Sequence, residues 1–392
     1  MKSSILILFI TLLYINFFGI LNISNTILLI SLLPFIATGL RKNIMFKNIL
    51  VWFMIGLICN MISCYIYRGQ DYFSSFKAMP IYFYILSYFL FAKLNPTLST
   101  LNSAILYLII IFDVIYITQF ILLQIGIIFL PLNEELYSEA GSSARFRMIA
   151  SGLVSLGVFW GCNRYILKKD FFSIAVCILS FIVIFLMAFR TMVFFSILFS
   201  GLLIIRLQGF SKKTLGIFII GIIAFLLLLN IPIISEKFDY MWEKQFGSEA
   251  QTLNNKDYIR NVTLFYYIND HFKSILEYIF GSGLPFIDHP YHKEIDFLGE
   301  QGIFFQDWGL LGLSWMLGII PVGCMIWYSI KAAITKVDRS YYYIGVWFIY
   351  LVVSSITTSE FYREGNFVIQ ALCLFFIHKA HQIYKNKQRI KN

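Results

Sequence analysis

Apolar runs of about twenty residues recur along nearly the whole of this 392-residue chain, and one long polar stretch, residues 234–301, interrupts them. An α-helix needs about 20 apolar residues to cross the ~30 Å hydrocarbon core of a bilayer. Apolar residues make up 59% of the chain and charged residues 13%, whereas soluble domains carry about 25% charged residues. The sequence therefore predicts an all-α polytopic membrane protein, with residues 1–392 forming a single integral membrane domain.

The apolar runs predict about twelve transmembrane helices. These helices are expected near residues 5–21, 25–40, 48–66, 78–92, 103–129, 148–165, 171–188, 191–206, 214–233, 303–329, 341–358 and 366–382. The polar stretch 234–301 is then one large loop inserted between the ninth and tenth helices. In the run Phe171–Ile205, Arg190 is the only interruption. As one helix this run would be about 50 Å long, so a tight hairpin with Arg190 at its tip is predicted.

Lysine and arginine residues mark the predicted cytoplasmic side, because positively charged connections are retained there. Under this rule the connections around Arg41, Lys93, Lys168 and Lys331 are cytoplasmic, both termini are cytoplasmic, and the 234–301 loop is periplasmic. The net charge of +10 is thus a signal of topology rather than of nucleic-acid binding. The first apolar run lacks a small-residue cleavage site, which favours a membrane helix over a removed signal peptide.

Arginine on the outer side runs against this charge rule, so each such residue suggests a function. The predicted set for binding a substrate diphosphate is Arg145, Arg147, Arg190, Arg260 and Arg363. A guanidinium group forks onto phosphate oxygens and keeps its charge without a metal ion. The alternative is an interfacial arginine that reaches lipid headgroups or pairs with a nearby acid. That alternative competes strongly at Arg363, which lies between Glu360 and Glu364.

The end of the large loop carries the candidate general bases His289, His292, Asp296 and Glu300. A sugar hydroxyl becomes a nucleophile at neutral pH when a positioned imidazole or carboxylate takes its proton. Asp296 and Glu300 are four residues apart, which places them on one face of a helix at the membrane surface. The alternative is an ordinary solvated loop, and the residues alone do not choose one base among the four.

Three other features give weaker indications of a function. Asp113 lies within a predicted span, where a carboxylate suggests function by default, although a hydrogen bond to a neighbouring Tyr or Ser is the alternative. Gly281-Ser-Gly283 lacks the Lys-Ser/Thr of a P-loop, which favours a tight turn. The six cysteines lie in or beside apolar runs without metal-ligand spacing, which favours core packing over metal binding or disulfides.

The order of these segments resembles the bacterial O-antigen polymerase (Wzy-type) family, within the O-antigen ligase/polymerase superfamily. The layout of spans and of the late outer loop is similar along the whole chain. Arg190 occupies the place of the family's outer-face arginine, and Arg260 followed by Gly281-Ser-Gly283 looks like its Arg…Gly-x-Gly segment. The stretch from Asp296-Phe-Leu-Gly-Glu300 to Gly309-Leu-Leu-Gly312 is similar to its His/Asp-x-x-Leu…Gly-x-x-Gly helix start.

The sequence also departs from the family pattern. Phe189 precedes Arg190 where the family often has Ser. The ligase branch usually shows a His-Asn pair at the helix start, whereas this chain has His289-Pro290 and His292-Lys293. The missing His-Asn pair, with Asp296 closer to the expected spacing, favours a polymerase over a ligase.

The resemblance implies a reaction in the bacterial inner membrane. The acceptor hydroxyl of one undecaprenyl-diphosphate-linked repeat unit would attack the anomeric carbon of a polymer on undecaprenyl diphosphate, at the periplasmic face. The arginines would hold the diphosphate, and a residue of the 289–300 segment would activate the hydroxyl. The reaction needs no nucleotide sugar, metal ion or other cofactor. The implied partners are lipid-linked glycans, membrane lipids and a chain-length regulator protein, with no nucleic acid.

Three other functions remain open at this point. An O-antigen ligase would move finished polymer to the lipid A core. A lipid-linked oligosaccharide flippase would show related halves, interrupted helices and short loops, but the sequence has no clear internal repeat and has a 68-residue outer loop. In a purely structural membrane protein, the outer arginines would be incidental.

Overall fold

The computed structural model describes residues 2–21, 23–130, 146, 148–211 and 258–391, with single positions at 216, 230, 232, 235, 236, 238, 239 and 242. Its helices are α1 Lys2–Tyr14, α2 Asn25–Gly39, α3 Lys47–Arg68, α4 Tyr72–Ala78, α5 Pro80–Phe83, α6 Ser87–Leu94, α7 Leu98–Leu123, α8 Gly152–Lys168, α9 Phe171–Leu186, α10 Arg190–Gln208, α11 Ile259–Asn269, α12 Ile275–Phe280, α13 Pro290–Glu300, α14 Gly309–Leu317, α15 Ile319–Ile334, α16 Tyr342–Ser354 and α17 Asn366–Lys391. Short 3-10 turns cover Tyr84–Leu86, Phe305–Trp308, Arg339–Tyr341 and Glu360–Tyr362. No strand occurs in these ranges, so the all-helical prediction is confirmed.

Several of these helices suit a membrane. Within the described ranges, α3, α7 and α10 are long and apolar enough to cross one, and a fourth span results if α4 and the 80–94 segment, bent by 69°, count together. Shorter apolar helices include α1, α2, α9 and α15. Membrane association is therefore supported, while the count of twelve spans stays a prediction. The predicted span 214–233 falls almost wholly outside the described residues.

The run Phe171–Ile205 is divided as predicted. It forms two helices, α9 and α10, separated at residues 187–189. Ala188 adopts a φ of 54° there, a left-handed conformation that is costly for a residue with a Cβ and that ends a right-handed helix. Both helices pack against α8. A single long helix is thus excluded for this segment.

Two predicted spans are interrupted. The span predicted near 303–329 begins only at Gly309 and breaks at Gly318, which has a φ of 90°. The span predicted near 78–92 is preceded by α4, and the chain bends at Met79, before Pro80 opens α5. A proline disfavours helical backbone at the residue before it. Glycine at 318 permits the positive φ that the other break requires.

The C-terminal helix α17 lies in the centre of the bundle. Residues Asn366 to Ile377 along it are all buried. By contrast, α3 exposes a row of large apolar side chains that includes Trp52, Ile58 and Ile66. An outward apolar surface is the arrangement expected of a helix that faces lipid.

The basic connections meet at one end of this bundle. The Nζ atom of Lys42 donates to the carbonyl oxygen of Ala92 at 2.9 Å, and the Nζ atom of Lys331 donates to that of Met45 at 2.9 Å. We call this the basic end. The predicted grouping of these connections on one side therefore agrees with the structure, while the assignment of that side to the cytoplasm stays a prediction.

Candidate functional site

The opposite end of the bundle holds the charged residues of the 258–308 segment, and we call it the loop end. It comprises the C-terminus of α3, the N-terminus of α8, the turn at 187–189 and residues 258–308 and 355–365. The backbone N–H of Ala150 donates to the Glu364 carbonyl oxygen at 2.8 Å, and that of Leu310 donates to the Ser355 carbonyl oxygen at 2.7 Å. These bonds join parts of the chain that are far apart in sequence.

Part of the predicted outer loop is inserted into the bundle. Residues 271–286, here called the 271–286 hairpin, descend beside α3 and return. At the start, the Nζ atom of Lys273 donates to the carbonyl oxygen of Tyr67 at 2.7 Å. At the tip, the Nδ2 atom of Asn60 donates to the carbonyl oxygen of Phe280 at 2.8 Å. The chain thus runs from the last turn of α3 towards its middle.

The returning arm of the 271–286 hairpin is held by Gln70. Its Nε2 atom donates to the carbonyl oxygen of Leu284 at 2.9 Å, and its Oε1 atom accepts from the backbone N–H of Phe286 at 2.8 Å. Gln70 is buried just beyond the end of α3. The hairpin therefore leaves the bundle at the level where it entered.

The Gly281-Ser-Gly283 segment packs into the break between α14 and α15. The backbone N–H groups of Ser282 and Gly283 donate to the carbonyl oxygens of Trp315 and Met316 at 3.0 and 2.8 Å. A Cβ atom on Gly283 would lie 2.3 Å from the Sγ atom of Cys64, and one on Gly281 would lie 2.4 Å from backbone atoms. These glycines permit close backbone packing, which favours the tight turn over a phosphate loop.

Arg68 joins α3 to the hairpin and to α13. Its Nε atom lies 2.6 Å from Oε1 of Glu277, and its Nη1 atom lies 2.8 Å from Oε1 of Glu294. Its Nη2 atom donates to the carbonyl oxygen of His271, and the guanidinium group lies 5.1 Å from the centre of the Tyr291 ring. Each of the three guanidinium nitrogens therefore has a partner in the 258–301 segment, and the Tyr291 ring lies against the group.

Sequence reasoning did not single out Arg68. The signal was present, because Arg68 ends an apolar run on the predicted outer side, where each arginine suggests a function. Its partners could not be read in the same way. Glu277 is 209 positions away along the chain, and no local pattern links the two residues.

The four predicted bases are brought together on α13. The Nδ1 atom of His289 caps this helix by accepting from the backbone N–H of Tyr291 at 3.1 Å. The Nε2 atom of His292 lies 3.2 Å from Oδ2 of Asp296. Asp296 and Glu300 are both exposed on the helix surface. The expected common face is present, with His292 and Asp296 in direct contact.

The predicted arginines are placed unevenly. Arg145 and Arg147 lie outside the described residues. Arg190 is the first residue of α10. At the other end of this helix, the guanidinium group of Arg206 lies 4.3 Å from the centre of the Tyr342 ring, at the start of α16. Because the last turn of α10 lies at the start of α16, the first residue of α10 lies towards the end of α16, beside the 355–365 segment. Arg190 therefore belongs to the loop end.

Arg363 and Arg260 also lie at the loop end. The Nη2 atom of Arg363 donates to Oγ of Ser359 at 2.9 Å, and its Nε atom lies 3.6 Å from Oε2 of Glu360. The local ion pair considered for Arg363 is therefore present. The carbonyl oxygen of Arg260 accepts from Nε1 of Trp308 at 3.0 Å, which brings Arg260 to the start of α14.

Two half-buried carboxylates were not predicted as site residues. Burial raises the pKa of Asp307 above its usual range, while the positive charge of Arg260 opposes that rise. Burial also raises the pKa of Glu364. Perturbed carboxylates at a surface that a substrate can reach are candidates for proton transfer. The signal for Asp307 was its place just before an apolar helix, between the predicted bases and Gly309.

Glu360 links three elements beneath this surface. The Oγ atom of Ser151 donates to Oε1 of Glu360 at 2.8 Å. The Nδ2 atom of Asn366 donates to the carbonyl oxygen of Glu360 at 2.6 Å, and its Oδ1 atom accepts from the backbone N–H of Gly152 at 3.0 Å. The starts of α8 and α17 are thus bonded to the 360–362 turn. This network joins these elements at the floor of the loop end.

Asp113 is bonded to α9. The Oγ atom of Ser180 donates to its Oδ2 atom at 2.6 Å, and both side chains are fully buried. The hydrogen-bonding alternative considered for Asp113 is therefore present. Within the described ranges, no group of three or more His, Cys, Asp or Glu side chains is arranged to hold a metal ion.

Comparison with known proteins identifies no relative: no family model matches the chain, and no curated protein or solved structure shows significant similarity to it.

Proposed function

We propose that this protein is an O-antigen polymerase, a glycosyltransferase that joins undecaprenyl-diphosphate-linked repeat units at the periplasmic face of the bacterial inner membrane. In this proposal about twelve helices cross the membrane and both termini are cytoplasmic. One observation supports this proposed function most directly. Arginines, a histidine–carboxylate pair and half-buried carboxylates share one end of an apolar helical bundle, opposite its basic end. That combination suits a substrate with a lipid tail, a diphosphate and a sugar.

The proposed reaction transfers a glycosyl group. The acceptor hydroxyl oxygen forms a bond to the donor's anomeric carbon, and the bond from that carbon to the diphosphate oxygen breaks. The hydroxyl proton passes to a base, and undecaprenyl diphosphate leaves as an anion. Arg190 and Arg260, with Arg145, Arg147 and Arg363, would stabilise the charge that develops on the diphosphate.

We favour His292 as the base among the four candidates on α13. Its Nε2 atom lies 3.2 Å from Oδ2 of Asp296, which would orient the imidazole and stabilise the imidazolium that forms when a proton is taken. The proton would then be taken by Nδ1, which is buried and has no hydrogen-bond partner among the described residues. Glu300 is exposed and has no comparable contact within the described residues. The Nδ1 atom of His289 accepts from the backbone N–H of Tyr291 to cap α13, so in the neutral imidazole Nε2 carries the hydrogen and no ring nitrogen is left to take a proton. Asp307 is the next candidate, because its raised pKa suits proton transfer.

A transporter of lipid-linked sugars is the second candidate. The breaks at Met79 and Gly318 favour it, because interrupted helices are common at the binding sites of secondary transporters. The break at Gly318 is, however, filled by the 271–286 hairpin rather than open to a ligand. An O-antigen ligase would use the same lipid-linked donor with a different acceptor.

The test is deletion of the gene in its host, followed by gel analysis of the surface polysaccharide. A polymerase predicts loss of the long ladder, with a core-plus-one-repeat band retained. Loss of every repeat would instead indicate a ligase or flippase, and an unchanged ladder would refute all three functions. Complementation with Arg190→Ala should fail. Arg206→Ala, at the basic end of the same helix, is the matched control and should restore the ladder.

A further inference from the structure

The 271–286 hairpin runs deep beside a helix that can cross a membrane. Between the contact of Lys273 with Tyr67 and the contact of Phe280 with Asn60, both segments advance by seven residues. Seven helical residues rise about 10 Å, and half of the hydrocarbon core measures about 15 Å. Since α3 is long and apolar enough to span a membrane, a hairpin that runs about 10 Å along it would reach the level of the hydrocarbon.

The outward face of α12 has the opposite polarity to that of a helix on the surface of a soluble protein. Its exposed side chains are Ile275, Leu276 and Tyr278, whereas its charged residue, Glu277, is fully buried against Arg68. A helix in water turns its charged residues outward. This polarity favours hydrocarbon around α12, and the adjacent α3 also exposes apolar side chains, Ile62 and Ile66.

The backbone of the hairpin tip has partners within the protein. The carbonyl oxygen of Gly281 accepts from Oγ of Ser63 at 2.7 Å. The carbonyl oxygen of Phe280 accepts from Asn60, and the N–H groups of Ser282 and Gly283 donate to carbonyl oxygens of α14. Non-helical backbone is tolerated at membrane depth only where such groups are satisfied by protein or by water. The tip meets that condition.

We propose that the 271–286 hairpin is re-entrant: it dips into the half of the bilayer next to the loop end, and the Ile275, Leu276 and Tyr278 face of α12 contacts lipid acyl chains. The partner of this surface is therefore the bilayer interior. The segment predicted as an aqueous loop is anchored in the membrane, which holds α11 and α13 at its surface. This inference does not depend on the reaction that the protein catalyses.

Cysteine labelling in membranes tests the proposal. Leu276→Cys is compared with Ile287→Cys, since these apolar side chains are 52% and 70% exposed in the protein itself and only a bilayer distinguishes them. The reagent is a charged maleimide, applied to open membrane fragments so that both faces are accessible. The wild-type protein gives the background from the native cysteines. Labelling after denaturation in dodecyl sulfate gives the total.

We expect Leu276→Cys to react at least roughly tenfold more slowly than Ile287→Cys, because the thiolate is the reactive species and hydrocarbon suppresses its formation. Equal rates would overturn the proposal. A second measurement excludes cover by another protein. A bimane label on each cysteine is examined in nanodiscs with brominated acyl chains. Quenching at position 276 but not at 287 supports contact with lipid, and no quenching at 276 would refute it.

Discussion

The Nε atom of Arg68 lies 2.6 Å from Oε1 of Glu277, and the two side chains are 2% and 0% exposed. This pair connects the end of α3 to the buried face of α12. Lys273 strengthens the arrangement, since its backbone N–H donates to the second carboxylate oxygen of Glu277 at 2.6 Å. A buried ion pair of this kind makes the position of the 271–286 hairpin depend on one arginine.

Replacement of Arg68 should destabilise the protein strongly. Arg68→Ala leaves the Glu277 carboxylate buried without its counter-charge, and loss of one partner of a buried pair costs about 3–5 kcal/mol. Arg164→Ala is the control, because Arg164 and Asp170 form a partly exposed pair, and exposed pairs contribute about 0–1 kcal/mol. Thermal unfolding in detergent measures both. Similar melting temperatures for the two variants would contradict this interpretation of Arg68.

Gly283 should tolerate no side chain. Its φ is 84°, and a Cβ would lie 2.3 Å from Sγ of Cys64. Gly283→Ala should therefore lower the free energy of unfolding by about 1–3 kcal/mol through overpacking, with a further cost from left-handed backbone. Gly323→Ala is the matched change, since nothing lies within 4 Å of a Cβ there, and alanine favours a helix. If both variants melt like the wild type, the close packing of the hairpin is wrong.

The half-buried carboxyl of Glu364 should make stability depend on pH. Its pKa is raised from 4.5 in the folded protein, so the folded state binds the proton more tightly than the unfolded state. The resulting stabilisation is complete below about pH 4.5 and is lost as the pH rises through the raised pKa. The melting temperature of Glu364→Gln, relative to that of the wild type, should therefore be higher at neutral pH than at acidic pH.

The check on this prediction is the melting temperature of both proteins, measured in steps from about pH 4 to pH 8. Glu300→Gln, at an exposed position on α13, serves as the control. If the Glu364→Gln and wild-type curves run parallel over the whole range, Glu364 does not titrate as its burial requires.

The proposed general base gives a prediction for activity. His292→Ala should reduce polymerisation by roughly 10²–10⁴-fold, the usual contribution of a positioned base. Asp296→Asn should reduce it less, because the imidazole would remain. Lys293→Ala, at the exposed neighbouring position, should leave it unchanged. The readout is the rate of chain extension on a lipid-linked repeat unit, at matched protein levels. Full activity of His292→Ala would move the role to another carboxylate or histidine, and Asp307→Asn would then be examined.

Local patterns predicted much of the fold. Apolar runs anticipated most of the described helices, and the length of the 171–205 run required the break found at Ala188. The two interrupted spans were not anticipated. Gly318 lies in an apolar run that looks continuous, and the backbone of the hairpin packs against its break. Hydropathy predicts whether a segment lies in water or in lipid. It does not predict which backbone groups of other segments that segment will bond.

The site was predicted in part. The spacing of Asp296 and Glu300 predicted a shared helical face, whereas the contact between His292 and Asp296 was not predicted. The local ion pair of Arg363 with Glu360 was considered from the sequence and is present. The burial of Asp307 and Glu364 was not visible, because a carboxylate in sequence carries no sign of what covers it. Arg145 and Arg147 stay predictions, since they lie outside the described residues.

Sequence alone determined that the chain is an apolar helical protein and that its basic connections belong together, because hydropathy and charge act over a single turn or span. Tertiary structure alone decided where the described part of the polar stretch 234–301, residues 258–301, lies. Residues 271–286 of that stretch are placed inside the bundle by Asn60, Ser63 and Arg68. These bonds span more than 200 positions of the chain, so only folding brings their partners together.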